Sequence, residues 1–331
     1  MKTLIQPGHL YGFNDARSLL HRLANYVTKN ALLFLNLSLF IGSSAHAAMP
    51  DTKYEVQRGI IYQHSGSEVL TGDLYKPKGN DKYPVLIAVH GGDWRFADAS
   101  LYKHWGPYLA EHGYAVFSVN YRLVKDKTNL YPAAVHDVRA AVQFLRQQAA
   151  TYQLDPERMG LMGDSAGAQL ATLVALAGDL PPFAGTGMDK KNAAVSTRVK
   201  VCIGIYGSYD LTAKWEHSNR FYPDNNIAQG FLGDSLIDNR KIYFEASPLS
   251  YVTSSNNQTA FLLSWGAKDK FVDPAGQSIA FTHALKQAGN SVRTVVLKNA
   301  GHYWASEPIK VPGTEPGYLA PRLLEFLKEK L

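Results

Sequence analysis

The chain has 331 residues, of which 46% are hydrophobic and 19% are charged, and this composition supports a large buried core. It excludes an intrinsically disordered chain and a collagen-like repeat, and a single cysteine excludes a disulfide-rich scaffold. Lys and Arg number 34 against 28 Asp and Glu, a net charge of +6, and four basic residues against one acidic residue place +3 of it within residues 1–47. Because no cluster of basic residues is present to follow a phosphate backbone, the sequence predicts no nucleic-acid partner.

Residues 1–47 are predicted to be a leader that ends in a signal peptide. A mostly apolar stretch, residues 31–42, follows Lys29 and precedes an Ala-x-Ala pattern that ends at Ala47. The stretch is too short to span a bilayer, so we expect no stable membrane span in the mature protein and a secreted or periplasmic location. The segment before it is long for such a leader, and either translation starts downstream, with Val27 as an alternative initiator, or the long leader is genuine. An uncleaved anchor and a buried core helix are the other interpretations.

Strands and helices alternate along the rest of the chain. The first two strands are predicted to be antiparallel, and strand–helix repeats follow. The predicted strands are Tyr54–Tyr62, Val69–Tyr75, Tyr83–Val89, Ala115–Val119, Arg158–Met162, Val199–Tyr206, Thr259–Trp265 and Val292–Leu297. The predicted helices are Leu101–His112, Pro132–Gln153, Ser165–Ala177, Pro274–Gly289 and Tyr318–Leu331. This order predicts one α/β domain over residues 48–331, with a mostly parallel twisted sheet and helices on both faces.

Two stretches interrupt the alternation. Residues 179–198 and 208–247 are rich in Gly, Pro, Asn and Asp, with aromatic residues between them. Long irregular segments in a compact domain commonly form lids or binding loops. We therefore expect lid-like insertions over one edge of the sheet.

A Gly-x-Ser-x-Gly motif lies where a predicted strand meets a predicted helix. It comprises Gly163, Ser165 and Gly167. A sharp turn in this context strains and exposes the serine, and the helix N-terminus favours negative charge that develops beside it. Short Gly/Ser patterns also occur by chance, so the motif gains weight only from catalytic partners elsewhere in the chain.

A nucleophilic serine needs a base, and the base needs a carboxylate that orients it. Asp269 follows one predicted strand in a Gly-x-x-Asp turn, and His302 follows the next strand in a Gly-His pair. The order Ser165, Asp269, His302 is the order of the triad in α/β-hydrolases. Asp273 is a rival acid, but it precedes Pro274 and is typical of a helix N-cap.

A His-Gly-Gly-Asp-Trp motif, residues 90–94, directly follows the strand Tyr83–Val89. Acyl transfer through a tetrahedral intermediate needs N–H groups aimed at the oxyanion, and glycines let the backbone approach it closely. A Gly-rich turn can also be only a turn. Its position after the third strand favours the oxyanion function.

Together these motifs, with Asn-Tyr-Arg at residues 120–122, resemble the α/β-hydrolase esterases of the hormone-sensitive-lipase-like and carboxylesterase type. Residues 131–132 and 246–251 are most similar to the bacterial branch that includes bidomain feruloyl and acetylxylan esterases. The resemblance spans residues 54–331. It implies an α/β-hydrolase catalytic domain whose oxyanion donors are the N–H groups of Gly92, Asp93 and Ala166. Lipase-type relatives usually have glycine at the position of Asp93, and a carboxylate there repels an oxyanion unless it is turned away or paired.

The sequence therefore predicts a serine esterase that hydrolyses short-chain acyl or aryl esters, small or carbohydrate-linked, through an acyl-enzyme. Trp94 and Tyr303 flank the motifs and are predicted to contact the substrate, while about half of the aromatic residues near the motifs are expected to belong to the core. No zinc or nucleotide motif is present, so no metal or cofactor is predicted. An arylformamidase, a peptidase and a catalytically silent binding protein are the alternatives. The sequence does not define the oligomeric state.

Overall fold

The computed structural model describes residues 52–184 and 194–331. The predicted leader, the boundary between residues 47 and 48 and the middle of the first predicted insertion lie outside these ranges. Within them, no helix has both the length and the apolar character that crossing a bilayer requires.

The described chain contains eight strands and eight α-helices. The strands are β1 (Tyr54–Ser65), β2 (Glu68–Pro77), β3 (Tyr83–Val89), β4 (Ala115–Val119), β5 (Leu154–Asp164), β6 (Val201–Ile205), β7 (Ala260–Gly266) and β8 (Val292–Leu297). The α-helices are α1 (Trp105–Glu111), α2 (Ala133–Gln147), α3 (Ala166–Ala177), α4 (Leu211–Phe221), α5 (Ile227–Leu232), α6 (Arg240–Ala246), α7 (Ala280–Gln287) and α8 (Glu315–Lys330). Short 3-10 helices lie at Ala99–Tyr102, Pro223–Asn225 and Pro248–Tyr251, and a π-helical turn at Ala275–Ile279 precedes α7.

The strands form one sheet in the order β1-β2-β4-β3-β5-β6-β7-β8. The pair β1–β2 is antiparallel and all pairs from β4 to β8 are parallel, as the sequence predicts. The pair β2–β4 is also antiparallel. The carboxyl ends of β3, β5, β7 and β8 therefore meet at one edge of the sheet. The motifs that follow these four strands converge at this edge, close to the point where the strand order reverses.

The second predicted insertion, residues 208–247, is not irregular, and this corrects the prediction. It folds into α4, α5 and α6. The Asp and Asn residues that suggest loops are N-caps: Asp210 accepts the N–H groups of Thr212 and Ala213, and Asn226 and Asn239 cap α5 and α6 in the same way. Composition alone does not distinguish a turn from the start of a helix, because both use the same short polar side chains.

Two predicted helices are shorter in the structure. The predicted helix Leu101–His112 divides into the 3-10 helix Ala99–Tyr102 and α1, and Pro107 lies in the first turn of α1, where its missing N–H is tolerated. The predicted helix Pro132–Gln153 ends at Gln147 as α2. The chain then turns into β5 through Gln153, whose positive φ of 56° is incompatible with a continuing helix.

The cap of α4 can be tested directly. Asp210→Ala removes the acceptor for two N–H groups and is expected to lower the free energy of unfolding by about 1 kcal/mol. Asp210→Asn keeps a side-chain acceptor and should change it by only a few tenths of a kcal/mol. Urea unfolding of both variants measures the difference, and equal destabilisation by Ala and Asn would contradict the assignment.

Candidate active site

Ser165 occupies a strained turn between β5 and α3. Its backbone has φ 51° and ψ −118°, a region that residues other than glycine rarely occupy. Its N–H donates to the carbonyl of Ile205 at the end of β6, over 2.9 Å. The hydroxyl is thereby held at the carboxyl edge of the sheet, beside the N-terminus of α3.

The glycines of the motif make this turn possible. A Cβ atom at Gly163 would lie 2.3 Å from the carbonyl oxygen of Gly167, and one at Gly167 would lie 2.0 Å from that of Val89. Both distances are far below van der Waals contact. Only glycine therefore lets β3, β5 and α3 approach closely enough to form the turn.

The structure brings Ser165, His302 and Asp269 together. His302 Nε2 lies 3.0 Å from Ser165 Oγ, and His302 Nδ1 lies 2.6 Å from Asp269 Oδ2. The side chains of His302 and Asp269 are both buried. Since Ser165 and His302 are separated by 137 positions in sequence, this contact depends on the strand order of the sheet.

Asp269, and not Asp273, is the carboxylate in contact with His302. Its second oxygen, Oδ1, accepts the N–H groups of Phe271 and Val272, each over 2.9 Å. The Asp273 carboxylate instead accepts the N–H of Gly276 and caps the π-helical turn before α7, as its predicted capping role requires.

The glycine-rich loop after β3 presents free N–H groups next to Ser165. Gly92 has φ 110°, and its carbonyl accepts the N–H groups of Arg95 and Phe96 at 2.9 Å each. In the described part of the chain, the N–H groups of Gly92, Asp93 and Ala166 donate to no protein acceptor. All three predicted oxyanion donors therefore have no competing acceptor among the described residues.

Asp164, at the end of β5, holds this loop, and His90 lies at the start of the loop against Tyr121. The Asp164 carboxylate accepts the N–H of Gly91 at 3.0 Å and the hydroxyl of Tyr102 at 3.2 Å. Burial raises the pKa of Asp164 to about 6, and the bonds from Gly91 and Tyr102 oppose that shift. Burial lowers the pKa of His90 to about 4, so its imidazole is neutral at pH 7, where it stacks on Tyr121.

The carboxylate of Asp93 is partly buried and has no partner within ion-pair distance among the described residues. Burial raises its pKa, and the charges of Lys214, His302 and Arg95 oppose this shift. Lys214 and Arg95 are the groups among these three that are positively charged at pH 7, whereas His302 contributes only when it is protonated. Positive charge near the Asp93 carboxylate weakens its repulsion of an oxyanion.

A cavity of about 140 Å³ opens beside Ser165. Tyr303 lines it and is 65% exposed, so the structure places this predicted substrate-binding residue at the cavity. Trp94 is 1% exposed, stacks on Phe231 and donates to Gln169. Its predicted contact with substrate is wrong, because the indole lies in the core against Phe231 and Gln169.

The sequence matches the BD-FAE family over residues 72–285. The chain belongs to this family. The match includes Ser165 and Asp269, whereas His302 lies beyond its end. It confirms the resemblance to α/β-hydrolase esterases that the motifs suggest.

Two curated relatives of this BD-FAE chain are esterases by name. "Esterase LipQ" of Mycobacterium tuberculosis is 31% identical over 264 residues, which cover 78% of this chain and 59% of the relative. "Isoprenylcysteine alpha-carbonyl methylesterase ICME" of Arabidopsis thaliana is 26% identical, covering 75% of this chain and 56% of the relative. The chain thus spans less than two thirds of the length of these relatives.

Solved structures show that the BD-FAE chain has the α/β-hydrolase fold. A thermophilic esterase from Thermogutta terrifontis superposes with a TM-score of 0.66 at 21% identity, covering 84% of this chain and 92% of that one. A bifunctional GH43-CE protein of Bacteroides eggerthii gives a TM-score of 0.68 at 24% identity, covering 83% of this chain and 35% of that one. The eight-stranded, mostly parallel sheet agrees with this assignment.

Some residues of the site are not recognised from sequence. The ring centroid of Tyr206 lies 4.3 Å from that of His302, and its hydroxyl accepts the N–H of Ala305. The end of a predicted strand at Tyr206 is the one signal for it. Phe271 and Lys214 reach the site only through tertiary packing, and neither belongs to a motif.

The raised pKa of Asp164 predicts a pH-dependent stability. The folded protein binds this proton more tightly than the unfolded chain, so the ionised carboxylate is destabilising above pH 6, and the effect disappears below the unfolded pKa of about 4. Asp164→Asn keeps an acceptor for Gly91. Its stability relative to wild type is expected to rise by up to about 3 kcal/mol between about pH 4 and about pH 8. Urea unfolding across this range measures the change, and a difference that stays constant or falls with pH would contradict it.

Proposed function

We propose that this BD-FAE chain is a serine hydrolase of carboxylic esters. The observation that carries the proposal is the contact of Ser165 with His302 and of His302 with Asp269, at 3.0 Å and 2.6 Å. The names of the curated relatives and of the superposed structures support ester hydrolysis. No observation favours an arylformamidase, a peptidase or a silent binding protein.

In the proposed acylation step, Ser165 Oγ attacks the ester carbonyl carbon while His302 Nε2 takes the hydroxyl proton. Asp269 accepts the hydrogen bond from His302 Nδ1 and stabilises the imidazolium. The N–H groups of Gly92, Asp93 and Ala166 receive the oxyanion. When the tetrahedral intermediate collapses, the bond to the alcohol oxygen breaks and His302 returns the proton to the leaving alcohol.

In the proposed deacylation step, a water molecule attacks the acyl-enzyme. His302 takes a proton from that water, and the carbonyl oxygen again develops negative charge against the same three N–H groups. Collapse releases the carboxylic acid and returns the proton to Ser165 Oγ. No step requires a cofactor.

We infer that the acyl group is short. The cavity of about 140 Å³ is small compared with the sites of drug-sized ligands. Leu101, Tyr102 and Tyr206 form its walls, together with Ala305 and Tyr303. An acetyl, propionyl or butyryl group fits such a space better than a long chain, and the exposed ring of Tyr303 remains available to an aryl or sugar alcohol.

We also propose that the protein is exported, on the basis of the apolar stretch and the Ala-x-Ala pattern that ends at Ala47. Cleavage there leaves Ala48 as the first residue of the mature chain. N-terminal sequencing of protein recovered from the periplasm or the medium checks this, and recovery of uncleaved cytoplasmic protein would contradict it.

The chain offers a matched control for the nucleophile, because Gly-Asp-Ser occurs twice, ending at Ser165 and at Ser235. Ser165→Ala is expected to lower kcat for p-nitrophenyl acetate and butyrate by at least about 10⁴-fold. Ser235→Ala, in a turn outside the site, should stay within about twofold of wild type. Equal activity of wild type and Ser165→Ala would exclude the proposed mechanism.

Labelling by a fluorophosphonate probe and the preference between ester and amide substrates separate the alternatives. A silent binding protein is expected to resist a fluorophosphonate probe, whereas the proposed nucleophile is expected to be labelled at Ser165. An arylformamidase or peptidase is expected to be labelled but to prefer amide substrates over esters of the same acyl group.

The acyl preference can be tested at Leu101. Leu101→Ala enlarges the cavity and is expected to raise the ratio of kcat/KM for p-nitrophenyl hexanoate over acetate by about tenfold. Leu324→Ala, which truncates a half-buried leucine on α8, serves as the control and should leave the ratio unchanged. No change of the ratio in Leu101→Ala would show that this cavity does not receive the acyl chain.

A further inference from the structure

Lys214 is a buried cation at the border of the site, and the proposed mechanism does not use it. It lies on α4 and is 2% exposed. Its Nζ donates to the carbonyl oxygen of Phe271 over 2.8 Å and lies 4.2 Å from the centroid of the Phe271 ring. Among residues 52–184 and 194–331, no carboxylate lies within 4.0 Å of it. A buried ammonium without a carboxylate partner is costly, so its contacts call for an explanation.

Phe271 connects Lys214 to both partners of the proposed nucleophile. Its N–H donates to Asp269 Oδ1, and its ring centroid lies 5.2 Å from that of His302. The peptide units of Phe271 are therefore held on two sides. The amide side binds the triad carboxylate, and the carbonyl side binds the ammonium of Lys214.

The charge of Lys214 strengthens this contact. Burial lowers the pKa of Lys214 to about 8, and the negative charges of Asp93 and Asp269 oppose the shift. At pH 7 the side chain is thus mostly an ammonium group. A hydrogen bond from an ionised donor is about twice as strong as a neutral one.

We propose that Lys214 is a positioning residue for ester hydrolysis. Its bond to the Phe271 carbonyl fixes residues 269–272, and this segment sets the orientation of Asp269 and of the His302 ring. Lys214 acts through Phe271 and not on the substrate. The inference rests on the proposed function, because it concerns the same reaction.

A purely structural role for Lys214 predicts the opposite order of variants. Methionine replaces the aliphatic part of lysine, ends one atom short of Nζ and carries no charge to desolvate. A site that needs only apolar packing therefore accepts methionine better than arginine. Arginine keeps the positive charge and several N–H donors. The positioning role therefore predicts that arginine supports catalysis better than methionine does, whatever their order in stability.

The test measures kcat, KM and the unfolding temperature for Lys214→Met and Lys214→Arg in the full chain, with p-nitrophenyl acetate. For Lys214→Met we expect an unfolding temperature at or above that of wild type, KM within about twofold, and kcat lowered by about 10²-fold, the loss typical of a group misplaced by about 1 Å. Lys214→Arg should retain a kcat at least about tenfold above that of Lys214→Met. A folded Lys214→Met variant with kcat within about threefold of wild type would overturn the proposal.

If both variants are equally slow, Lys214→Ala decides. Truncation to alanine removes three side-chain carbons and the ammonium group, which are the atoms that propylammonium supplies. Recovery of kcat that saturates with propylammonium, and that is absent in Lys214→Met where the side chain fills the space, supports the positioning role. Failure of propylammonium to restore kcat overturns it.

The outcomes also separate this inference from the proposed function. A wild-type protein that hydrolyses no ester and resists the fluorophosphonate probe contradicts the proposed function itself. An active wild type accompanied by an equally active Lys214→Met variant contradicts only the role of Lys214.

Discussion

The backbone of Ser165 is the constraint on which the site depends. A residue with a side chain at φ 51° and ψ −118° costs about 1–3 kcal/mol and persists only where its surroundings impose it. Here β3 and β6 flank β5 on either side, and the glycines of the turn allow backbone contacts that no Cβ would permit. The same turn begins α3, so one strained residue places both a hydroxyl and the N–H of Ala166 at the edge of the sheet.

Buried charged groups then fix the two loops that face this turn. On one side, Asp164 holds the glycine-rich loop through the N–H of Gly91. On the other side, Lys214 donates to the carbonyl of Phe271, and Asp269 accepts the N–H of the same residue. Neither Asp164 nor Lys214 has an oppositely charged side chain within 4.0 Å in the described ranges, so each depends on hydrogen bonds with neutral groups. Such contacts are directional, and they suit loops whose position matters more than their contribution to stability.

The sequence was sufficient to predict the sheet and the three residues that meet at its edge. Strand–helix alternation determines a parallel sheet, and the carboxyl ends of parallel strands converge whatever the loops do. The helices of the 208–247 segment could not be predicted, because their N-cap residues Asp210, Asn226 and Asn239 are residue types that are equally typical of turns. The motif also did not predict the direction of the Trp94 side chain. Trp94 has a positive φ, and its position next to the glycines in sequence does not show whether its side chain faces the site or the core. Lys214 and Phe271 meet Asp269 only in the folded chain.

The strand order has a consequence for when the site comes into existence. Ser165 precedes His302 by 137 positions, and the contact between them requires β6, β7 and β8 to be paired in sequence. Such long-range parallel pairing raises the contact order and is slow to form, because loop closure must precede the contacts that stabilise it. A nascent chain that has completed β5 and α3 therefore displays its serine without a base. The hydroxyl becomes a partner of His302 only once the last strand has joined the sheet, so the appearance of that contact reports completion of the eight-stranded sheet.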